Sequence, residues 1–467
     1  MLLNTLLLSR IQFGFTIGFH ILFPTFNLGL ALFLAIMEGI YLKTRNQIYL
    51  SICKFWTKIF ALTFGMGVVS GIVLSYELGT NFAGFTVAVG GVLGSLFAYE
   101  VLSAFFLEAG FLGVMLFGWN KVGPKLHFAA TLLVMIGTAI SAFWIMSANS
   151  WMQTPAGYQL INGKYIVLSW WGVIFNPSFL PRFIHMLFAA YVTTTFVIVG
   201  VSAWYLLKNK HIEIAKKCFS FALGAAFILA PLQIGIGDAV GIKDHAYQPL
   251  KTAAMEGLWD TMKGAPFLIF AIPDQANQKN YLELKIPKGA SLINTHQLNG
   301  ELIGLKSVSA NDQPIVATVF FAFRVMLAIG FLFFAVALYG LYLRIKGQLF
   351  NKPLFYKLCV LISPLGFISS IAGWLVAESG RQPWVVYGMM RTVNAVSHVP
   401  VNQVMISLAM FIIVYGLVFS FYLFFLLKLI QKGPESITQS DIETETHVPF
   451  QYMPTMKEND EKYRRSD

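Results

Sequence analysis

Nine stretches of the chain are apolar almost without interruption, near 11–42, 55–76, 92–118, 126–147, 181–207, 217–237, 315–343, 356–378 and 404–428. As an α-helix rising 1.5 Å per residue, each is long enough to cross about 30 Å of hydrocarbon. The pattern predicts an all-α, polytopic membrane bundle of about nine transmembrane helices, six within 1–237 and three within 315–432. Residues 238–314 form one soluble loop. The polar, mixed-charge stretch 433–467 reads as a disordered tail. Residues 1–10 are themselves apolar with the single Arg10, and the run behind them is too long for a signal-peptide core, so the first segment is expected to stay in the membrane.

Composition agrees with this class. The 467 residues are 57% hydrophobic and 12% charged, where a soluble domain is about one quarter charged. A net charge of +11 would suggest nucleic acid in a soluble chain, but here the basic residues sit in short loops between spans and set orientation. With the N-terminus outside, fourteen Lys and Arg fall in the inner short loops, from Lys43 to Lys357, and only Arg10, Lys164, Arg182, Arg381 and Arg391 in the outer segments. That bias puts the N-terminus outside, the C-terminus in the cytoplasm and the 238–314 loop on the extracytoplasmic side. No nucleic-acid partner is implied. Cys53, Cys218 and Cys359 are far apart and form no CxxC pair, so neither a disulfide framework nor a thiolate metal site is indicated.

Against this background the costly residues are those within or at the edge of hydrocarbon. His20 lies roughly 13 Å into the first span from its outer end. Glu100 sits at a similar depth in the third, with Glu108 two turns deeper. His185 opens the fifth span in PRFIHM. Glu378 closes the eighth in WLVAESGRQPW, followed at once by Gly380, Arg381 and Pro383. Taken singly, a membrane histidine can be a helix–helix hydrogen-bonder and a carboxylate can pair with an arginine. Glu38, near the inner end of the first span, reads as a carboxylate snorkelling to the interface. As a group, one imidazole on each of two spans with three carboxylates suits haem ligation better than a histidine-bound metal centre.

The stretches LSRIQFGFTIGFHILFP, YEVLSAFFLEAGFLGVMLFGWNKV, SANSWMQTPAG, RFIHM, AIPDQ, FAFRVM and WLVAE followed by GRQPW occur in that order from residue 9 to residue 384. Together they resemble subunit I of the cytochrome bd-type quinol oxidases, in the short-loop branch of that family. The resemblance implies a respiratory enzyme of the bacterial inner membrane that oxidises quinol on the outer side and reduces dioxygen to water with cytoplasmic protons. It implies two haem b and one haem d, or a third haem b in place of d. It implies a second membrane subunit, with a small accessory subunit as a further expectation. By the same resemblance His185 and Met326 would ligate the low-spin haem b, and His20 and Glu378 the high-spin pair. Arg324 and Arg381 would stand near haem carboxylates, with Trp374 in the cofactor site.

For Met326 the residue alone indicates packing, and only FRVM promotes it. Arg324 could equally be a snorkelling cation. Glu100 and Glu108, about 12 Å apart along one helix axis, are close enough to border one proton path that Ser141 and His127 would extend inward, although His127 alone could cap an inner end. Lys251 and Glu256, in YQPLKTAAMEGLWD, match the family's quinol-oxidation positions. A spacing of five puts them about 140° apart on a helix, so they need not face each other, and two solvated loop charges is the other reading. A proton-coupled transporter would also bury His and Glu, but the chain shows no internal repeat and no paired broken spans. A haem relay that passes electrons without reducing oxygen stays open at this level.

Overall fold

The computed structural model describes residues 4–435. Among the described residues the nine apolar stretches form nine helices long enough to cross a membrane: α1 (Thr5–Thr44), α2 (Gln47–Asn81), α3 (Ala83–Phe117), α4 (Pro124–Gln153), α5 (Phe179–Leu207), α6 (Ile212–Tyr247), α8 (Val316–Ile345), α9 (Pro353–Ser379) and α10 (Val401–Lys432). A short helix α7 (Pro249–Glu256) follows α6 directly. Most of the expected tail, 436–467, lies outside the described residues.

Most helices outrun their apolar cores, because backbone hydrogen bonding continues into the headgroup region where hydropathy has ended. The clearest case is α6, which runs ten residues past 237 through Asp238 and Asp244 to Tyr247. Asn4 caps α1 by accepting the Leu7 amide at 2.8 Å, and Pro24 lies inside that helix without ending it, as membrane helices allow. Two π-turns, Gly90–Gly94 and Val101–Phe105, interrupt α3, the second directly behind Glu100. Such turns recur at functional sites.

Residues 248–315 fold back over one end of the bundle, here called the loop end. They contain α7, a hairpin pairing Phe267–Asp274 with Lys279–Ile286, and a short helix Gly289–Thr295. A small hairpin, Tyr158–Ile161 with Lys164–Val167, joins them from the α4–α5 connection.

The main apolar core lies toward the opposite end, around Leu30, Phe60, Trp56, Phe196, Phe219 and Cys359. The three cysteines are free and buried, so they pack, as their spacing indicates. Lipid tails are as apolar as leucine, so close approach at small residues is what holds membrane helices together. Here α5 takes that role on two sides. A Cβ at Gly29 of α1 would sit 2.3 Å from Thr194 Oγ1, one at Gly200 2.3 Å from Ser363 Cβ, and one at Gly366 of α9 2.7 Å from Thr193 Oγ1. Thr194 completes the α1 contact by donating to the Phe26 carbonyl at 3.0 Å.

Gly29→Leu should therefore force α1 and α5 apart and lower the thermal midpoint of the detergent-solubilised protein, the overpacking cost being about 1–3 kcal/mol or more. Gly113→Leu, where a Cβ meets nothing within 4 Å, should melt as the wild type does. Equal midpoints for the two variants would contradict this packing.

Candidate functional site

Of the residues singled out by depth, His185 and Glu378 lie toward the loop end, His20 and Glu100 deeper and Glu108 deepest, and each has a definite setting. His20 on α1 bonds through Nδ1 to Ser70 Oγ of α2 at 2.9 Å. His185 on α5 approaches Gln233 of α6 through Nε2 at 3.4 Å, and its Nδ1 is buried without a partner. A glycine stands opposite each of three side chains: a Cβ at Gly71 would lie 3.2 Å from His20 Cε1, one at Gly237 3.1 Å from His185 Cε1, and one at Gly373 3.1 Å from Met326 Sδ. Trp374, half-buried, follows Gly373 on α9.

Glu378 lies in a ring of donors. Its Oε1 accepts from Asn149 Nδ2 at 2.8 Å and from Gln153 Nε2 at 3.2 Å, and its Oε2 pairs with Arg381 three residues on. Arg381 is buried, and its Nε and Nη1 groups have no partner.

Lys251 and Glu256 are not solvated charges. Lys251 is 0% and Glu256 2% exposed, because α7 lies under the rest of the loop. Their 140° separation is used: they face different partners. Lys251 Nζ donates to Gln153 Oε1 at 2.7 Å and to Gln248 Oε1 at 2.5 Å, and stands 3.7 Å from Asp244 Oδ1. Asp244 in turn pairs with Arg182 at the start of α5. Burial lowers the Lys251 pKa to about 7, with Asp244 opposing the shift. Glu256 accepts from Asn294 Nδ2 at 3.0 Å and lies 3.7 Å from the Arg324 guanidinium. Burial raises its pKa, and Arg324 and Asn294 oppose.

Arg324 does not snorkel. Its guanidinium bonds the carbonyls of Met255 and Leu268 and lies 3.6 Å over the Phe320 ring, so it fastens the loop to the top of α8. Gln153 emerges as the junction, since one amide touches both Lys251 and Glu378. Neither Gln153 nor Asn149, Arg182 or Asp244 is singled out by sequence reasoning. The first two lie in SANSWMQTPAG, and an amide carries no charge to mark it as costly.

The carboxylates of α1 and α3 separate into two groups along α4. Glu100 accepts from Ser141 Oγ at 2.7 Å. Glu108 is buried with Oε1 unpartnered, and its Cγ fills the space a Cβ at Gly137 would take. Toward the far end, Glu38 is 3% exposed rather than snorkelling. It receives His127 Nδ1 at 2.7 Å and Thr131 Oγ1 at 2.6 Å. His127 is buried beside the Trp119 ring and reaches the Met115 carbonyl through Nε2, so it does more than cap a helix end. A cavity of about 20 Å³ borders this pair, room for one water. His127, Thr131, Thr138 and Ser141 share one face of α4, leading from Glu38 toward Glu100.

The donor set fits haem. Two imidazoles and a thioether each face a glycine, and a buried guanidinium keeps two N–H groups free for a carboxylate. Among the described residues no group of three or more His, Cys, Asp or Glu could hold a bare metal ion.

Comparison with known proteins agrees with this chemistry. The model of the family described as cytochrome bd terminal oxidase subunit I matches residues 8–434. The chain is 35% identical to cytochrome bd ubiquinol oxidase subunit 1 of Bacillus subtilis (strain 168), over 96% of this chain and 98% of the relative. It is 32% identical to cytochrome bd-II ubiquinol oxidase subunit 1 of Escherichia coli (strain K12), over 94% and 98%. The bd oxidase structure from Geobacillus thermodenitrificans superposes with a TM-score of 0.87 at 29% identity, covering 92% of this chain and 99% of that one. The molecule is thus a haem-bearing, multi-pass subunit in a bacterial inner membrane that works with a second subunit, quinol and dioxygen. The chain belongs to the cytochrome bd terminal oxidase subunit I family, and its activity is that of a quinol:oxygen oxidoreductase.

Proposed function

We propose that the loop end is the quinol-oxidising, extracytoplasmic face, as the Lys and Arg bias indicates, and that the far end admits cytoplasmic protons. His185 and Met326 hold a low-spin haem b, and His20 and Glu378 serve a high-spin pair consisting of a second haem b and haem d, or a third haem b in its place. Arg381 offers its free N–H groups to a haem carboxylate. Trp374 lines the same site, while Arg324 acts by holding the loop. A small accessory subunit completes the complex beside the second one. The haems supply redox-active iron, and His/Met ligation favours a higher potential.

The observation that carries this reading is Gln153, which joins loop Lys251 to Glu378 through one buried amide. Quinol oxidation releases protons, and a lysine whose pKa is about 7 can take one from a quinol hydroxyl at neutral pH. Glu256 is a second acceptor on the opposite face of α7. On the far side Glu38 and His127 gather protons, and Glu108 and Glu100 pass them inward with Ser141.

The ligand assignment is tested by haem content and oxygen uptake in the same membranes. His185→Ala and Met326→Leu should each lose low-spin haem, and Glu378→Ala high-spin haem. Glu108→Gln cannot ionise but keeps its shape, so it should retain all haem while oxygen reduction falls, general acid–base steps being worth about 10²–10⁴-fold. Haem loss in Glu108→Gln, or a full complement in Glu378→Ala, would overturn the division.

Lys251 also carries a pH signature. Its folded pKa of about 7 lies below the ordinary 10.5, so between those values the unfolded chain binds more protons and stability rises with pH. The burial cost is fully present below pH 7. Thermal melts from pH 7 to 9 should show the wild type gaining on Lys251→Met, and parallel curves would refute a buried, deprotonating Lys251.

A further inference from the structure

A second polar cluster lies between α1, α2 and α10, apart from Glu100 and Glu108. Glu77 of α2 is 1% exposed, and neither carboxylate oxygen has a hydrogen-bond partner. It forms no ion pair among the described residues. Around it, Gln12 Oε1 of α1, Asn81 Nδ2 of α2 and the Tyr415 hydroxyl of α10 are likewise buried and unpartnered. Tyr415 is close enough to feel the Glu77 charge, and Thr16 lies beside the carboxylate. The remaining bond from Gln12, Nε2 to Ser407 Oγ at 2.9 Å, ties the cluster to α10.

Five orphaned polar atoms in one place are rare in a folded protein, and such atoms are normally satisfied by ordered water. The periodicity shows where the cluster leads. Gln12, Thr16 and His20 follow at intervals of four on α1, and Ser70 and Glu77 at seven on α2, so each set forms a stripe. The two stripes meet at the His20–Ser70 bond. Glu77 stands seven residues, about 10 Å, toward the loop end from Ser70. Gln12 and Asn81 lie one turn further out.

We propose that Glu77, with Gln12, Thr16, Asn81 and Tyr415, forms a hydrated, protonatable site running from the loop end of the bundle to His20. This rests on the reading of His20 as a haem-site residue only for what lies at its inner end. When quinol reduces the complex, negative charge grows within the bundle. The Glu77 carboxylate then takes one proton from hydronium in the outer solvent through the waters of the site: one O–H bond forms on the carboxylate, one breaks in hydronium to leave water, and the electron comes from quinol. Its role is charge balance at the His20 side, in parallel with the Glu108 path.

The test uses the complete oxidase, with redox-induced infrared difference spectra in H2O and D2O. Wild type should show a carboxylic-acid band that appears on reduction, shifts in D2O, disappears in Glu77→Gln and persists in Glu108→Gln. Glu77→Asp, which still ionises, should keep a shifted band. A Glu77→Gln spectrum superimposable on wild type, or a band indifferent to D2O, would overturn the proposal. Loss of haem from both Glu77 variants would also overturn it, by making the cluster structural. Failure of the His20 reading shows separately, as full haem retention in His20→Ala.

Discussion

Charge cannot be left alone in hydrocarbon, and the loop end of this bundle is built around that constraint. Taking an ion out of water costs several kcal/mol even after relaxation, and only close, well-bonded partners offset it. Arg182 and Asp244 make the first pair, across α5 and α6. Lys251 joins Asp244 from α7, Gln153 connects Lys251 to Glu378, and Arg381 closes the far side. One network of three cations and two carboxylates thus draws α4, α5, α6, α7 and α9 to a single point. The loop is seated because Lys251 must be.

The same constraint accounts for the settings of the other buried ions. Arg324 finds Glu256 and two loop carbonyls, which secures the second side of α7. Glu38 finds His127 and Thr131 near the other end. Pairing is incomplete at other buried groups: His185 Nδ1, Arg381 Nε and Nη1, Glu108 Oε1 and both Glu77 oxygens are left without hydrogen-bond partners. These are positions for a ligand, a water or a proton, and they border the proposed haem and proton sites rather than the packed core.

Much of this was legible in the chain because apolar length and buried charge are local properties. The spans could be counted, and His20, Glu100, Glu108 and Glu378 stood out by depth. Partners could not be read, since they are distant in sequence: Glu38 looked like an interfacial carboxylate because His127 lies 89 residues away. For Lys251 and Glu256 the family pattern pointed to quinol, but two solvated charges stayed open as the other reading because a short polar helix gives no sign of being covered. Helix ends were underestimated at α6, where hydropathy fades before the helix does. Gln153 escaped notice because its importance lies in reaching two charged groups at once. Met326 rested on the family pattern, and the structure adds the glycine that faces its sulfur.

The central claim is that the loop-end charges stand or fall together. A double-mutant cycle on Arg182 and Asp244, read as thermal stability of the purified complex, tests it most directly. Each single change, Arg182→Leu or Asp244→Leu, leaves a buried charge uncompensated and should cost about 3–5 kcal/mol. The double variant should recover a large part of that loss. Strictly additive losses would show that the two side chains do not depend on each other, and would contradict the account.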